Sequence, residues 1–399
     1  MNFNKLNFVA LIISYFYFSY LKIFSFVPFH LLFLFIGITI NLRAFKYVFY
    51  NIEKNLIYLF IFIFLICLNS YLVVDPKNLI KTLFQDVLVI FSIFYYVFSF
   101  IRNEKDISFF IKTIIYVGSF SMLVAIFQFF QFDFAWEMRR FFETTDAIVN
   151  QQLIDQIKPA GLAFYSITYS YHTIILASIL FSRFINYLSI NNFILFLFGF
   201  FAVFVSSSES AIFGFILAML IFIFFNALRI YTRFLIVFTI SALLILILFI
   251  YVYSGRDFVF YDMNRIYLFK AGLFAFKENF LLGLGGSDIN EITFLYLENA
   301  DISNWVKNLS IHNSFLLAFI KKGIFMLIPF LLLFYVYFKN LMLLKVENKY
   351  LYTFFYVYLI SYCFHSFFHN AGMFNKDQLF WIIFAFLCAA VNIYKKKLN

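Results

Sequence analysis

This chain is short of charge, of acid and of cysteine. Only 13% of its 399 residues are charged while 64% are apolar. Soluble domains carry roughly a quarter charged residues, so the shortage excludes a soluble globular fold and leaves a polytopic membrane protein. The three cysteines, Cys67, Cys363 and Cys388, all fall inside apolar runs. None lies in a candidate external loop, so no disulfide is expected. The N-terminal run "MNFNKLNFVALIISYFYFSYLKIF" lacks a small-x-small cleavage site and contains Lys22. It reads as a first membrane helix, not as a removed signal peptide. No internal repeat, Walker motif or nucleophile elbow is present. The bias toward Phe (68 residues) is treated as compositional.

What is present is a series of long apolar segments. A spanning helix needs roughly 20 apolar residues. About twelve segments qualify: 6–27, 28–42, 56–74, 83–101, 107–130, 161–182, 191–205, 209–227, 234–253, 314–338, 351–368 and 378–394. The expected fold is a single all-α polytopic membrane domain over 1–399. "SSSES" at 206–210 is either a turn or a re-entrant tip.

The net charge of +10 would suggest nucleic acid in a soluble protein. In a membrane protein, enrichment of Lys and Arg in cytoplasmic loops explains it better, and no nucleic-acid partner is expected. With the "YKKKLN" tail inside, twelve spans put both termini in the cytoplasm. The inside loops then hold Arg43, Lys46, Lys54, Arg102, Lys105, Arg183, Arg229, Arg233, Lys339, Lys345 and Lys349. They hold only four of the twenty acids: Glu53, Glu104, Asp106 and Glu347.

Two outside segments, 131–160 and 254–313, are too long for turns, and both are rich in aromatics. Loops of that length are usually functional or disordered. In 262–283, Ile266, Phe269, Leu273, Phe276 and Phe280 recur at helical spacing. Arg265 borders that stripe on one side, and Lys270 and Lys277 on the other. The pattern predicts a helix lying on the outer interface and stopped by "LLGLGGSD".

Chemistry-bearing residues gather around these loops. His312 and Gly323 are eleven residues apart, about three helical turns, which predicts one shared face with Phe315, Leu316 and Phe319 between them. His312 at the mouth of the bundle is either a general base or an interfacial histidine bonded to a loop carbonyl. Arg265, Arg256, Lys270 and Lys277 form a basic group suited to a phosphate or diphosphate, or to plain solvation beside the loop's seven acids. The glycines of "LGLGG", Gly283 and Gly285 among them, make either an anion-binding nest or an ordinary turn. Arg139, Arg140 and Lys158 are further candidates for an anionic ligand. His365 and His369 in "HSFFH" have a metal-compatible spacing, but neither an HExxH pattern nor a carboxylate pair accompanies them, so no metal is expected. His172, in "YSYHTII", is either functional, as ionisable residues in membranes often are, or satisfied by neighbouring tyrosines. Trp136 and Trp305 are outer aromatics of the kind that stack on sugar.

"NRIYLFKAGLFAFKENFLLGLGGSDI", followed by "IHNSFLLAFIKKGIFMLIPFLLL", resembles the signature region of the O-antigen ligase/polymerase superfamily. That signature has an Arg opening a helix, an N-P-L-L-G-x-G-like turn, then H-N-x-x-L and a Gly. "KPAGLAFYSITYS", with Lys158 and Gly161, looks like the family's R-x-x-G-x-F stretch. The resemblance implies a GT-C-like membrane glycosyltransferase of the bacterial inner membrane, acting on its periplasmic face. Its donor would be a glycan on undecaprenyl diphosphate, with no cofactor, nucleotide sugar or metal. Carried over, His312 would activate the acceptor hydroxyl and Arg265 would hold the diphosphate. Lys158, Gly161, Arg139, Arg140, Arg256, Lys270, Gly283, Gly285 and Asn313 would line the substrate site. The expected partners are the lipid-linked oligosaccharide and membrane lipids, with a chain-length regulator as a candidate.

Three positions depart from the family pattern. Glu209 stands where the short helix pair carries Arg, Phe280 replaces the turn's Pro, and Lys158 replaces Arg. These departures favour the more divergent polymerase branch over a ligase that transfers glycan to lipid A-core. A flippase or transporter of lipid-linked sugars would instead predict charges along a path through the bilayer and repeat symmetry.

Overall fold

The computed structural model describes residues 3–18, 22–23, 27–74, 83–140, 158–163, 166–226, 263–285, 294, 296–297, 311–374 and 377–398. Among them the chain is helical apart from a two-residue antiparallel pairing of Lys22–Ile23 with Val27–Pro28. The chain forms two compact units, each assembled from three stretches. One comprises Met1–Gly37, Glu104–Val259 and Leu341–His365. The other comprises Ile38–Asn103, Phe260–Asn340 and Ser366–Asn399.

In the first unit the main helices are Phe3–Tyr17, Glu104–Phe129, Asp133–Arg140, Ser166–Asn186, Ile190–Val205 and Glu209–Phe225, with most of Lys349–Phe367. Small residues set the closest helix contacts, as in membranes, where interhelical water release gives little driving force. A Cβ on Gly199 would meet Ala177 Cα at 3.2 Å, and one on Gly214 would meet Ser361 O at 3.0 Å. "SSSES" is a tight turn between Ile190–Val205 and Glu209–Phe225, with Ser207 at φ +54°.

In the second unit Lys54–Val74, Val89–Phe100 and Gln378–Leu398 pack through aromatic rings. Phe94 lies 5.4 Å from Phe60, 5.6 Å from Phe98 and 6.3 Å from Phe384, centroid to centroid. Each such pair adds about 0.5–1.5 kcal/mol beyond area burial, so the Phe excess is used in packing.

Helix exteriors identify the solvent. On Glu104–Phe129 the exposed residues Tyr116, Phe120, Leu123 and Phe127 recur on one face. Leu327, Leu331, Tyr335 and Phe338 do so on Ile324–Glu347. A continuous apolar stripe facing outward belongs in lipid.

Several expected spans are shorter or broken. Among the described residues, three helices are long and apolar enough to cross a bilayer, or four if the Phe29–Ile40 and Leu42–Asn51 pair, bent by 63°, is one span. The predicted 6–27 span ends at Tyr17. The predicted 314–338 helix is two helices, Ser314–Lys322 and Leu327–Glu347, separated at Gly323. The 234–253 segment lies outside the described residues.

Candidate functional site

In the second unit the Met263–Glu278 and Ser314–Lys322 helices run side by side. A Cβ on Gly272 would meet Leu316 Cδ2 at 2.7 Å and Ile311 Cδ1 at 3.0 Å. Further along, Phe276 lies 6.0 Å from Phe319, and Leu284 N–H donates to Ile320 O at 2.8 Å. Both sequences ascend together, so the helices are parallel. Arg265 precedes Gly272 by seven residues, about 10 Å along a helix axis. His312 and Asn313 precede Ser314. The parallel arrangement therefore brings Arg265 and His312 to the same end of the pair.

The packed face of Met263–Glu278 is Leu268, Ala271, Gly272 and Ala275, while Phe269 and Leu273 are exposed. The large apolar stripe read from the sequence is therefore not the face that the protein buries. Small residues permit the closest helix contact; Leu268 is buried beside them and Phe276 packs on Phe319, while Phe269 and Leu273 face outward. Arg265, Lys270 and Lys277 are exposed.

Asn313 is the N-cap of Ser314–Lys322, its side chain accepting from Leu316 N–H at 2.9 Å. Such a cap satisfies one of the orphan amides of the first turn. The "HNS" signal for this cap was present in the sequence. His312 stands just before the cap, half-buried. Ser314 Oγ donates to Ser366 O at 3.0 Å, and a Cβ on Gly372 would lie 2.2 Å from Ser314 Oγ. This clasp carries the turn after Phe367 to the head of the helix. His369 on that turn lies 6.5 Å from His312, ring centre to ring centre. Sequence reasoning missed this second imidazole. It placed His369 on a helix with His365, whereas that helix ends at Phe367.

The other end of Ser314–Lys322 holds the glycines. Gly323 has φ +71° and Gly283 φ +72°. A Cβ on Gly323 would stand 2.0 Å from Leu281 O, and one on Gly283 would stand 2.5 Å from Gly323 N. Gly283, Leu284 and Gly285 donate their amides to Asn279 O, Ile320 O and Lys321 O, and Ile324 N–H donates to Phe280 O. The helix carbonyls left over at a C-terminus are thus met by the "LGLGG" turn. Those amides are engaged, which makes the segment a structural turn instead of an anion nest. His312 and Gly323 accordingly flank opposite ends of a nine-residue helix and do not share one helix face. The left-handed backbone that glycine tolerates ends the helix there.

The first unit holds the other group. Gln128 is 0% exposed. It donates to Ala135 O (3.0 Å) and Gly161 O (3.1 Å) and accepts from Ala160 N (3.0 Å) and Gly161 N (2.9 Å). All four hydrogen-bonding positions of the amide are filled. Gly161 has φ +57°, and a Cβ there would lie 2.3 Å from Ser121 O. Its need for glycine is therefore structural. Arg139, only 3% exposed, donates to Lys158 O at 3.4 Å, and the Lys158 side chain is exposed. Arg140 is paired with Glu137 at 2.6 Å. Trp136 is fully buried, so no face of its ring is open to a sugar. Nothing in the sequence singled out Gln128.

His172 lies in the Ser166–Asn186 helix with its ring 4.3 Å from Phe16, and its Nδ1 is buried with no hydrogen-bond partner among the described residues. The neighbouring tyrosines do not satisfy it: Tyr169 donates to Ala202 O, and Tyr171 packs on His365. His365 Nδ1 is bonded to Ser210 Oγ at 2.9 Å. Arg256 and Trp305 lie outside the described residues.

Residues 194–331, about a third of the chain, match the family model described as O-antigen ligase. The matched stretch includes Arg265 and the His312 helix just described. Over that stretch the chain is similar to the O-antigen ligase family. The match points, in broad terms, to glycan transfer of the ligase or polymerase type. No curated protein matches the chain in overall sequence.

Proposed function

We propose that this protein is a surface-polysaccharide polymerase of the inner membrane, built on about twelve spans in a GT-C-like arrangement with both termini cytoplasmic. It transfers a growing glycan from undecaprenyl diphosphate to the next lipid-linked repeat unit at the periplasmic face. His312 takes the proton from the acceptor hydroxyl as that oxygen attacks the donor's anomeric carbon. The bond from that carbon to the diphosphate oxygen breaks, and undecaprenyl diphosphate leaves. Arg265 meets the charge developing on the leaving group, where a preorganised donor helps most. Lys270, on the same helix, and the exposed Lys158 add positive charge for the same lipid carrier. The observation that carries this reading is the parallel helix pair within the matched region, which supports a base and a guanidinium at one end.

The second reading is the ligase, which transfers the finished chain to lipid A-core. The matched model's own description favours it, whereas Glu209 at the family's Arg position favours the polymerase. A lipopolysaccharide gel of a deletion strain separates them. Core plus a single repeat unit identifies the polymerase, and bare core with accumulated lipid-linked polymer identifies the ligase. An unchanged ladder overturns both. Complementation with His312→Ala is expected to restore no ladder, and full rescue would remove His312 as the base.

A further inference from the structure

One end of the second unit carries a cation cluster that glycan transfer does not use. The Val89–Phe100 and Gln378–Leu398 helices pack along each other, with Phe94 near Phe384, and both finish at Tyr47. The Arg102 guanidinium carbon lies 5.9 Å from the Tyr47 ring centre and Lys396 Nζ lies 4.4 Å from it. The ring is fixed from behind: Asn392 Nδ2 lies 3.5 Å from its hydroxyl, and Asn51 Nδ2 donates to the Tyr47 carbonyl at 2.6 Å. Arg102 is itself held at its helix end by a bond from Nε to Ser99 O at 2.9 Å. Arg43, one turn before Tyr47, and Lys46 beside it are exposed, as are Arg102 and Lys396.

The carboxylate of this unit that lies nearest in sequence to Tyr47 is already engaged. Glu53 is ion-paired with Lys339 and accepts from Asn55 at 3.0 Å. In the next helix, Asp106 has Lys5 at 3.9 Å. Over 41–55, 101–106 and 392–399 the sequence carries eight cations, Arg43, Lys46, Lys54, Arg102, Lys105, Lys395, Lys396 and Lys397, against three acids, Glu53, Glu104 and Asp106. The same short helix that carries Tyr47 exposes Phe45, Phe49 and Tyr50, the last by 90%. Aromatics beside cations mark the boundary between lipid tails and headgroups, and an arginine fork with a lysine point charge fits a phosphate.

We propose that this end is a headgroup site for an anionic phospholipid. Arg102 and Lys396, both in contact with the Tyr47 ring, grip its phosphate, and Phe45, Phe49 and Tyr50 sit at the acyl boundary. The site lies at the end that the sequence's charge asymmetry assigns to the cytoplasm, where anionic lipids attract basic clusters.

The test is native mass spectrometry of the full-length protein released from detergent with phosphatidylglycerol or phosphatidylcholine. Wild type is expected to retain phosphatidylglycerol at least ~5-fold over phosphatidylcholine, in line with a few-fold gain per surface cation. Arg102→Gln/Lys396→Gln is expected to lose that preference, while Lys277→Gln, a cation outside the cluster, keeps it. Full retention by the double variant overturns the proposal. Complete displacement by millimolar inorganic phosphate also overturns it, because the site would then take free phosphate. Lys396→Arg retains the charge and the fold, so it should keep the preference. Its failure to do so would also count against the site.

Discussion

Two turns in this chain are pinned against helices by opposite means. The 280–285 turn of the second unit is held by backbone bonds to Ile320 O and Lys321 O and by two glycines packed back to back. The 158–163 turn of the first unit is held by one side chain, Gln128, with support from Ser121 Oγ to Leu162 N at 3.1 Å. The first device tolerates many side chains but no Cβ at two positions. The second tolerates its neighbours' variation but depends on a single buried amide. Both turns need glycine, at 283 and 323 in one and at 161 in the other; a sequence exposes those glycines and conceals Gln128.

The sharpest way to break this comparison is Gly323→Ala. The added Cβ would collide with Leu281 O in a backbone that L residues avoid. We expect a loss of roughly 3 kcal/mol or more, visible as a lower melting temperature in detergent, and a similar loss for Gly283→Ala. A melting temperature unchanged in both would mean that the turn is not docked as described.

Next is Gln128→Leu. It leaves the Ala160 and Gly161 amides and two carbonyls buried without partners, at a cost of about 2–4 kcal/mol, since each buried group left unsatisfied costs about 1–3 kcal/mol. Gln128→Glu keeps the acceptor and should recover part of that loss. Equal melting of the Leu and Glu variants would show that the hydrogen bonds contribute little.

Asn313→Ala should cost about 1 kcal/mol as a lost cap, and Asn313→Ser or Asn313→Asp should restore it. The cap also bears on the site, because fraying there moves His312. If the Ser variant melts normally but makes no glycan ladder, Asn313 touches substrate in addition to capping. The smallest effect belongs to Arg140→Gln. Its pair with Glu137 is largely exposed, and surface pairs contribute at most about 1 kcal/mol. Both the ladder and the melting temperature should be unchanged.

Much of the site was legible because its residues are local. Arg265 opens a predicted helix, His312 precedes an Asn-Ser cap signal, and the glycine stop follows two lysines. The long-range partners were not legible. His369 reaches His312 because a helix ends at Phe367 and Ser366 O takes the Ser314 hydroxyl. The buried face of Met263–Glu278 was not read from the sequence, because a period of 3.6 locates a stripe without saying whether lipid or protein covers it; that stripe was expected at the outer interface, and its Phe269 and Leu273 are exposed. In a membrane both sides of a helix are apolar, so size replaces polarity as the clue, and Ala271, Gly272 and Ala275 were the inward residues.

Composition alone determined that this protein is helical and lives in a bilayer, because a chain with so little charge cannot face water and its backbone polar groups must be satisfied within helices. The H-N-x-x-L stretch and the Arg-led helix carried the resemblance to the O-antigen ligase family, and both lie in the matched stretch. Tertiary structure alone decided which glycines are structural, which histidine stands beside His312, and that one glutamine secures the 158–163 turn. Those choices depend on distances between segments far apart in the chain, and local propensity carries no information about them.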